Sequence, residues 1–225
     1  MKRVAITGAN GTIGTVLRRG LVGYDITPID LSETDVRDYE RLLEVFPEHD
    51  VVVHLAWNGK TENFRSGNID PNNNLMTFNV YRAAIETKVP RVVMASSIHA
   101  DSFYKWSGPE LLTPDTLIGP DSPYGASKVF MEALGRYHAQ QGLEVVCIRF
   151  GGVNPRDTLE VEEEGYNKVW LSHGDCVALV RTCIDTPKIP NNFLIIYGVS
   201  NNSQRVHDYS NPLGWLPKDD ANGMK

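Results

Sequence analysis

No stretch of this sequence approaches the roughly 18 consecutive apolar residues that a membrane-spanning helix needs, so no membrane partner is expected. Cysteine is scarce. Cys147, Cys176 and Cys183 are an odd number without CxxC spacing, each set in an apolar segment. That pattern excludes a disulfide framework and predicts buried free thiols in a reducing cytoplasm. The six histidines are scattered, with no pair at ligand spacing beside a carboxylate or thiol, so no metal site is expected. Basic runs and aromatic-basic patches are absent and the net charge is −6, which argues against nucleic acid as a partner. The chain enters an apolar segment at Arg3, so no signal peptide is expected. There are no repeats, low-complexity tracts or linkers, and 225 residues at 41% hydrophobic and 22% charged predict a single domain over 1–225 with a full core.

What is present starts at the N-terminus. Val4, Ala5 and Ile6 make a short apolar run that ends in Gly8, with Gly11 and Gly14 at intervals of three and apolar residues at helical spacing from Ile13. Strand, glycine turn and helix is an arrangement for holding phosphate. The first glycine permits the tight turn and the second lets the backbone approach a pyrophosphate. The third lets helix and strand pack closely, with the helix N–H groups aimed at the anion. Glycines at this spacing also occur in ordinary turns, so the rest of the chain decides.

Apolar runs at Arg3–Thr7, Tyr24–Asp30, Val51–Ala56, Arg91–Ser96, Glu144–Phe150 and Phe193–Tyr197 alternate with helical patterns. Those patterns cover Thr12–Leu21, Arg37–Phe46, Asn72–Thr87, Ser122–Gln141 and Asp175–Asp185. Runs such as Val51-Val52-Val53 are continuous rather than alternating, which suits parallel strands buried on both faces. The rhythm predicts an α/β fold, a doubly wound parallel sheet of Rossmann type flanked by helices. Stretches at about 101–121 and 151–170 break it and are expected to form a small substrate-binding cap with the C-terminal segment, which wraps the surface. The acidic run Glu160–Glu164 is expected to be a solvated loop.

A dinucleotide on the opening turn calls for a carboxylate at the end of the second strand. Asp30 stands there, 22 residues beyond Gly8. It accepts hydrogen bonds from ribose hydroxyls and repels a 2′-phosphate, which favours NAD over NADP. The expected cofactor contacts are Gly8, Asn10, Gly11, Thr12, Ile13, Gly14 and Asp30, then Asp35 and Val36 at the adenine. Leu55, Ala56 and Trp57, at the end of the third strand, are expected beside the pyrophosphate and ribose. Tyr124 and Lys128 lie four apart in a predicted helix and so share a face. An ammonium there lowers the phenol's pKa, making Tyr124 a general base for an alcohol. Ser97, at the end of the fourth strand, is placed to hold the same substrate oxygen, and Lys128 to hold the nicotinamide ribose.

Together these residues resemble the extended short-chain dehydrogenases/reductases, the family of nucleotide-sugar epimerases and dehydratases. Thr7–Gly14 matches that family's TGxxGxxG, Asp35-Val36 its adenine-contacting pair and His54-Leu55-Ala56 its HxAA-like element. Ser97, Tyr124 and Lys128 match its catalytic triad. The resemblance implies that Asn73 supports an active-site water, and that helices 72–87 and 122–141 pair across a homodimer. The segments 95–99, 169–173 and 211–217 resemble uronate dehydrogenases and related microbial sugar 1-dehydrogenases, which oxidise the anomeric carbon to a lactone. That likeness adds His99 and Gly152 as substrate contacts. The chain departs from it at Ile98 (Asn in those enzymes), at Gly152 (Ser) and near Gly165, where their carboxylate-binding arginine falls.

The expected function is NAD-dependent oxidation of a hydroxyl, the anomeric one, on a sugar, uronate or sugar phosphate. A sugar epimerase or dehydratase that retains its cofactor is the alternative, followed by a non-catalytic dinucleotide-sensing protein.

Overall fold

A computed structural model describes residues 1–59, 67–102, 110–159 and 164–223 of the chain. Its frame is a six-stranded parallel sheet in the order β2-β1-β3-β4-β5-β6. The strands are β1 Arg3–Thr7, β2 Asp25–Ile29, β3 Val51–His54, β4 Arg91–Ser97, β5 Glu144–Phe150 and β6 Phe193–Gly198. The helices are α1 Thr12–Gly20, α2 Tyr39–Val45, α3 Asn72–Glu86, α4 Pro123–Ala139, α5 Tyr166–Val169 and α6 His173–Asp185. All six strands and five of these helices fall where the sequence places them, within one or two residues. The short α5 is an addition. The greater part of the acidic run, 160–163, and part of the 101–121 insertion lie outside the described residues.

The continuous valine runs are buried on both faces of the sheet. Val4, Ile6, Val51 and Val53 point into a core shared with α1 and α6 through Leu17, Leu179 and Val180. Their neighbours Ala5 and Val52 point the other way, into a core with α2, α3 and α4 through Leu42, Val80, Tyr81 and Met131. Each fully buried valine or leucine contributes about 1.5–3 kcal/mol, so an unpartnered polar residue in its place is costly on either face. Cys147, Cys176 and Cys183 are free and buried in these cores. Among the described residues no helix is long and apolar enough to cross a membrane.

From β1 the chain runs outward to β2, then returns past β1 to β3 on its other side. The carboxyl ends of β1 and β3 therefore flank the topological switch point, where open α/β sheets bind ligands. Thr7 pairs with His54, and Leu55 N donates to Thr7 O at 3.0 Å. On the other half of the sheet, Leu112 of the insertion forms a parallel bridge with His207 of the C-terminal segment. Trp215 is buried against the α6 side of the core, and Asp175 of α6 accepts from Lys218 N at 2.8 Å. The C-terminal segment thus closes over the sheet as the sequence suggests.

Candidate active site

Gly8 follows β1 in a left-handed conformation (φ +69), and a Cβ there would lie 2.7 Å from Ala56 N. Only glycine meets both demands. At Gly14 a Cβ would collide with the Gly8 carbonyl, so α1 packs against the turn only without a side chain. Gly11 caps α1 with no side-chain cap, and the first turn holds no acidic residue. The N–H groups of Thr12, Ile13 and Gly14 are left for an anion.

Two cavities meet over this turn. One, of about 410 Å³, is bounded by Asp30, Thr34, Val36, Arg37 and Met76. The other, of about 480 Å³, is bounded by Ile13, Ser97, Tyr124, Lys128 and Val153. Gly8, Gly11, Leu55 and Trp57 line both, so they are two halves of one cleft. The glycine cradle, the open helix N-terminus and a carboxylate at one end fit a dinucleotide such as NAD. Asp30 holds its place through its own backbone contacts: Asn10 N donates to Oδ2 and Leu31 N to Oδ1, both at 2.8 Å. The Asn10 side chain accepts from Arg18 at 2.8 Å. Asp35 is paired with its neighbour. Arg37 grips its carboxylate, Nε to Oδ1 at 3.0 Å and Nη2 to Oδ2 at 2.5 Å, and holds it below the usual carboxylate range. Val36 and Arg37 border the cleft beside it.

In the other half, α4 is started by Ser122, whose Oγ accepts from Gly125 N at 3.2 Å, and by Pro123 in its first turn. A Cβ on Gly125 would run into the His99 carbonyl, so this glycine lets the helix press against the segment leaving β4. Tyr124 is thereby hydrogen-bonded to Ser97, which is itself buried. Lys128, one turn on, is 3% exposed. Its Nζ donates to Ala95 O at 2.9 Å and lies 3.8 Å from the centroid of the Trp57 ring. Burial pushes Lys128 down to about 7, with Glu132 opposing the shift. The expected lowering of Tyr124 does not occur in the protein alone. Burial raises its pKa; the bond to Ser97 lowers it, and the charge of Asp121 raises it again.

Asn73 is buried on α3. Its Oδ1 accepts from Asn58 N at 2.7 Å and its Nδ2 donates to Asn58 O at 3.3 Å. The amide thus clamps the backbone of the segment that carries Trp57. His54, buried and pushed to about 3 by burial and by the charge of Lys128, is neutral and meets Thr7 Oγ at 2.7 Å.

On the substrate side, His99 Nδ1 meets Asp121 Oδ2 at 2.6 Å, and its ring stands edge-on to Tyr124 at 5.5 Å. Gly152 is held by its backbone. Its N–H donates to Val169 O and its carbonyl accepts from Leu171 N, both at 2.9 Å, and a Cβ would overlap the Tyr166 ring. Ile98 is buried with Val169, Tyr197 and Val199.

Behind Ser97 lies a buried charged network that sequence patterns do not reveal. Glu132 accepts from Ser96 Oγ at 2.6 Å and from Arg149 Nε and Nη2 at 2.8 Å each. Arg149 Nη1 donates to Asp101 at 2.9 Å, and Tyr197 donates its hydroxyl to Asp101. The network ties together the ends of β4, β5 and β6, next to Ser97. Asp121, Gly125, Asn58 and Tyr166 were equally hidden. Each acts on a residue distant in sequence, and only Asp121, next to a helix-capping serine, carried any local signal.

Residues 4–155 match the model of the NAD dependent epimerase/dehydratase family. The chain is 35% identical to an L-arabinose 1-dehydrogenase (NAD(P)(+)) of Haloferax volcanii, over 98% of each chain. It is 31% identical to a uronate dehydrogenase of Agrobacterium fabrum, over 100% of this chain and 88% of that one. The fold superposes on the crystal structure of a uronate dehydrogenase from Agrobacterium tumefaciens complexed with NAD. That match has a TM-score of 0.81 and 28% identity, and covers 99% of this chain and 87% of the other. Glycine cradle, strand-end carboxylate and sequence likeness thus agree, and the chain belongs to the NAD-dependent epimerase/dehydratase family.

Proposed function

We propose that this protein is an NAD-dependent sugar 1-dehydrogenase that oxidises the anomeric hydroxyl of a neutral aldose. One observation carries the reading: Ser97, Tyr124 and Lys128 face the same half of the cleft that the glycine turn opens. Gly8, Gly11, Gly14 and the first turn of α1 hold the pyrophosphate, and Asp30 the adenosine ribose. Bound NAD supplies a hydride acceptor and a positive charge. Ser97 holds the substrate hydroxyl at its oxygen, and Tyr124 takes that hydroxyl's proton on its phenolic oxygen. Lys128 holds the nicotinamide ribose.

A neutral sugar is favoured over a uronate because Ile98, Gly152 and Gly165 put no polar side chain where a carboxylate would need one. His99 is already balanced by Asp121. The named relative at 35% identity acts on L-arabinose. The protein works as one domain, with 101–121 and 151–170 shaping the substrate side. Buried free thiols suit a cytoplasmic enzyme. Leu75, Phe78, Phe130 and Tyr137 are left exposed on α3 and α4, which supports a homodimer through these helices.

The test is NADH formation with a panel of pentoses, hexoses, uronates and sugar phosphates, run separately with NAD and NADP. Turnover of a neutral aldose is expected, and Tyr124→Phe should lower it at least about 100-fold. NAD that copurifies with the protein, and no NADH from any sugar, would instead indicate an epimerase.

A further inference from the structure

The Trp57 indole occupies an unusual position. It is a wall common to both halves of the cleft. It also lies on the Lys128 ammonium, 3.8 Å from ring centroid to Nζ, and meets the Tyr124 ring edge-on at 5.4 Å. The backbone that carries it is clamped immediately downstream. Asn58 is held at N and O by the Asn73 amide, and its own Nδ2 donates to Asp70 Oδ2 at 2.7 Å. Upstream, Leu55 N and Ala56 N both donate to Thr7 Oγ at 3.3 Å. An aromatic ring fixed from both sides over a buried ammonium is a built contact, since a cation over an indole face is attracted most strongly when desolvated.

We propose that Trp57 is a positioning residue for Lys128. Clamped by Asn58, Asn73 and Asp70, it fixes the ammonium, keeps water from it, and presents it to the nicotinamide-side ribose. The last clause rests on the dehydrogenase reading; the contact itself does not. The inference gives the Asn73 amide a task of its own. Its amide fixes the indole, and the indole fixes the lysine.

The charged and titratable groups around Lys128 are few. Glu132 lies one turn along α4 and is engaged by Arg149 and Ser96. His54 of β3 is neutral, and Tyr124 lies one turn back with its ring centroid 5.4 Å from Nζ. With burial pushing Lys128 to about 7, its ionisation falls within reach of a fluorescence titration. Loss of the proton removes a full charge from the face of the Trp57 ring.

The experiment has two arms. First, intrinsic fluorescence of the unmodified protein and of Trp57→Phe is titrated from pH 5.5 to 9, and the difference is taken as the Trp57 signal. A transition centred near 7 is expected, and it should vanish in Lys128→Met. A transition that persists in Lys128→Met, or a Trp57 emission that Lys128→Met leaves unchanged at every pH, overturns the contact. Second, the KM for NAD is measured with a sugar that the panel above identifies. Trp57→Ala is expected to raise it roughly tenfold, with a smaller fall in kcat. Trp57→Phe, which keeps a ring over the ammonium, should recover most of the loss. An unchanged KM in Trp57→Ala, or an NAD affinity by calorimetry that Trp57→Ala lowers as much in the Lys128→Met background as in the unmodified protein, overturns the positioning role. If the unmodified protein binds no NAD by calorimetry while the fluorescence transition is present, the dehydrogenase reading fails and the Trp57–Lys128 contact stands.

Discussion

Replacing Lys128 with methionine should abolish activity and yet stabilise the protein. The ammonium is almost wholly buried, with one hydrogen bond to Ala95 O and one aromatic face as compensation. Burial moves its pKa from 10.5 to about 7. At about 1.4 kcal/mol per pH unit, holding the charge inside the fold costs at most ~4 kcal/mol at pH 7. Methionine fills similar space under Trp57 but loses the bond to Ala95 O, so the net gain expected is about 1–3 kcal/mol. For a chain of this size that raises Tm by about 3–10 °C. The sign of the pH dependence follows from the same numbers. Between about 7 and 10.5 the unfolded chain holds the lysine proton and the native protein releases it, so native stability rises with pH across that window. Below 7 both states are protonated and the full penalty persists. The advantage of Lys128→Met should therefore be full below pH 7, still close to that at pH 7, and gone by pH 10. Scanning calorimetry of both proteins at the two pH values measures this. A lower Tm for the variant at pH 7, or an advantage that does not change with pH, would refute the reasoning.

Other outcomes follow from the same geometry. Gly14→Ala places a methyl against the Gly8 carbonyl, so NAD affinity measured by calorimetry should fall at least about tenfold even where the protein still folds. Arg149→Met leaves Glu132 and Asp101 buried without their shared cation. Urea unfolding should register a loss of about 3–5 kcal/mol. Asp121→Asn removes the carboxylate that holds His99 and the charge that raises Tyr124. The KM for sugar should rise, and the acidic limb of the kcat profile should move to lower pH. A limb that stays in place would mean that Asp121 does not act on Tyr124.

Most of the frame could be read from the residues because it is local. Continuous runs such as Val51-Val52-Val53 are buried on both faces, and the Gly8–Gly14 turn and the Ser122 cap act within a few residues of themselves. The approach of Ser97, Tyr124 and Lys128 was legible because strand ends and helical spacing are periodic signals. What stayed hidden depends on pairs far apart in the chain. The Asn73 amide meets the backbone of Asn58, Gly152 packs under the Tyr166 ring, and Gly125 lies against the His99 carbonyl. No periodicity announces such pairings, because they depend on which loops the folded sheet brings side by side.

The network of Glu132, Arg149, Asp101 and Tyr197 also sets an order of assembly. Its links join residues 17, 48 and 96 positions apart, so it forms only after long loops have closed and β6 has docked. The unit of β1, α1 and β2, which carries Gly8 through Asp30, lies within the first 30 residues. The glycine turn waits as well, since Gly8 lies against Ala56 and α1 shares its core with Leu179 and Val180 of α6. The cradle is therefore closed only once residues 173–185 are in place, and the seat of Ser97 follows with Tyr197.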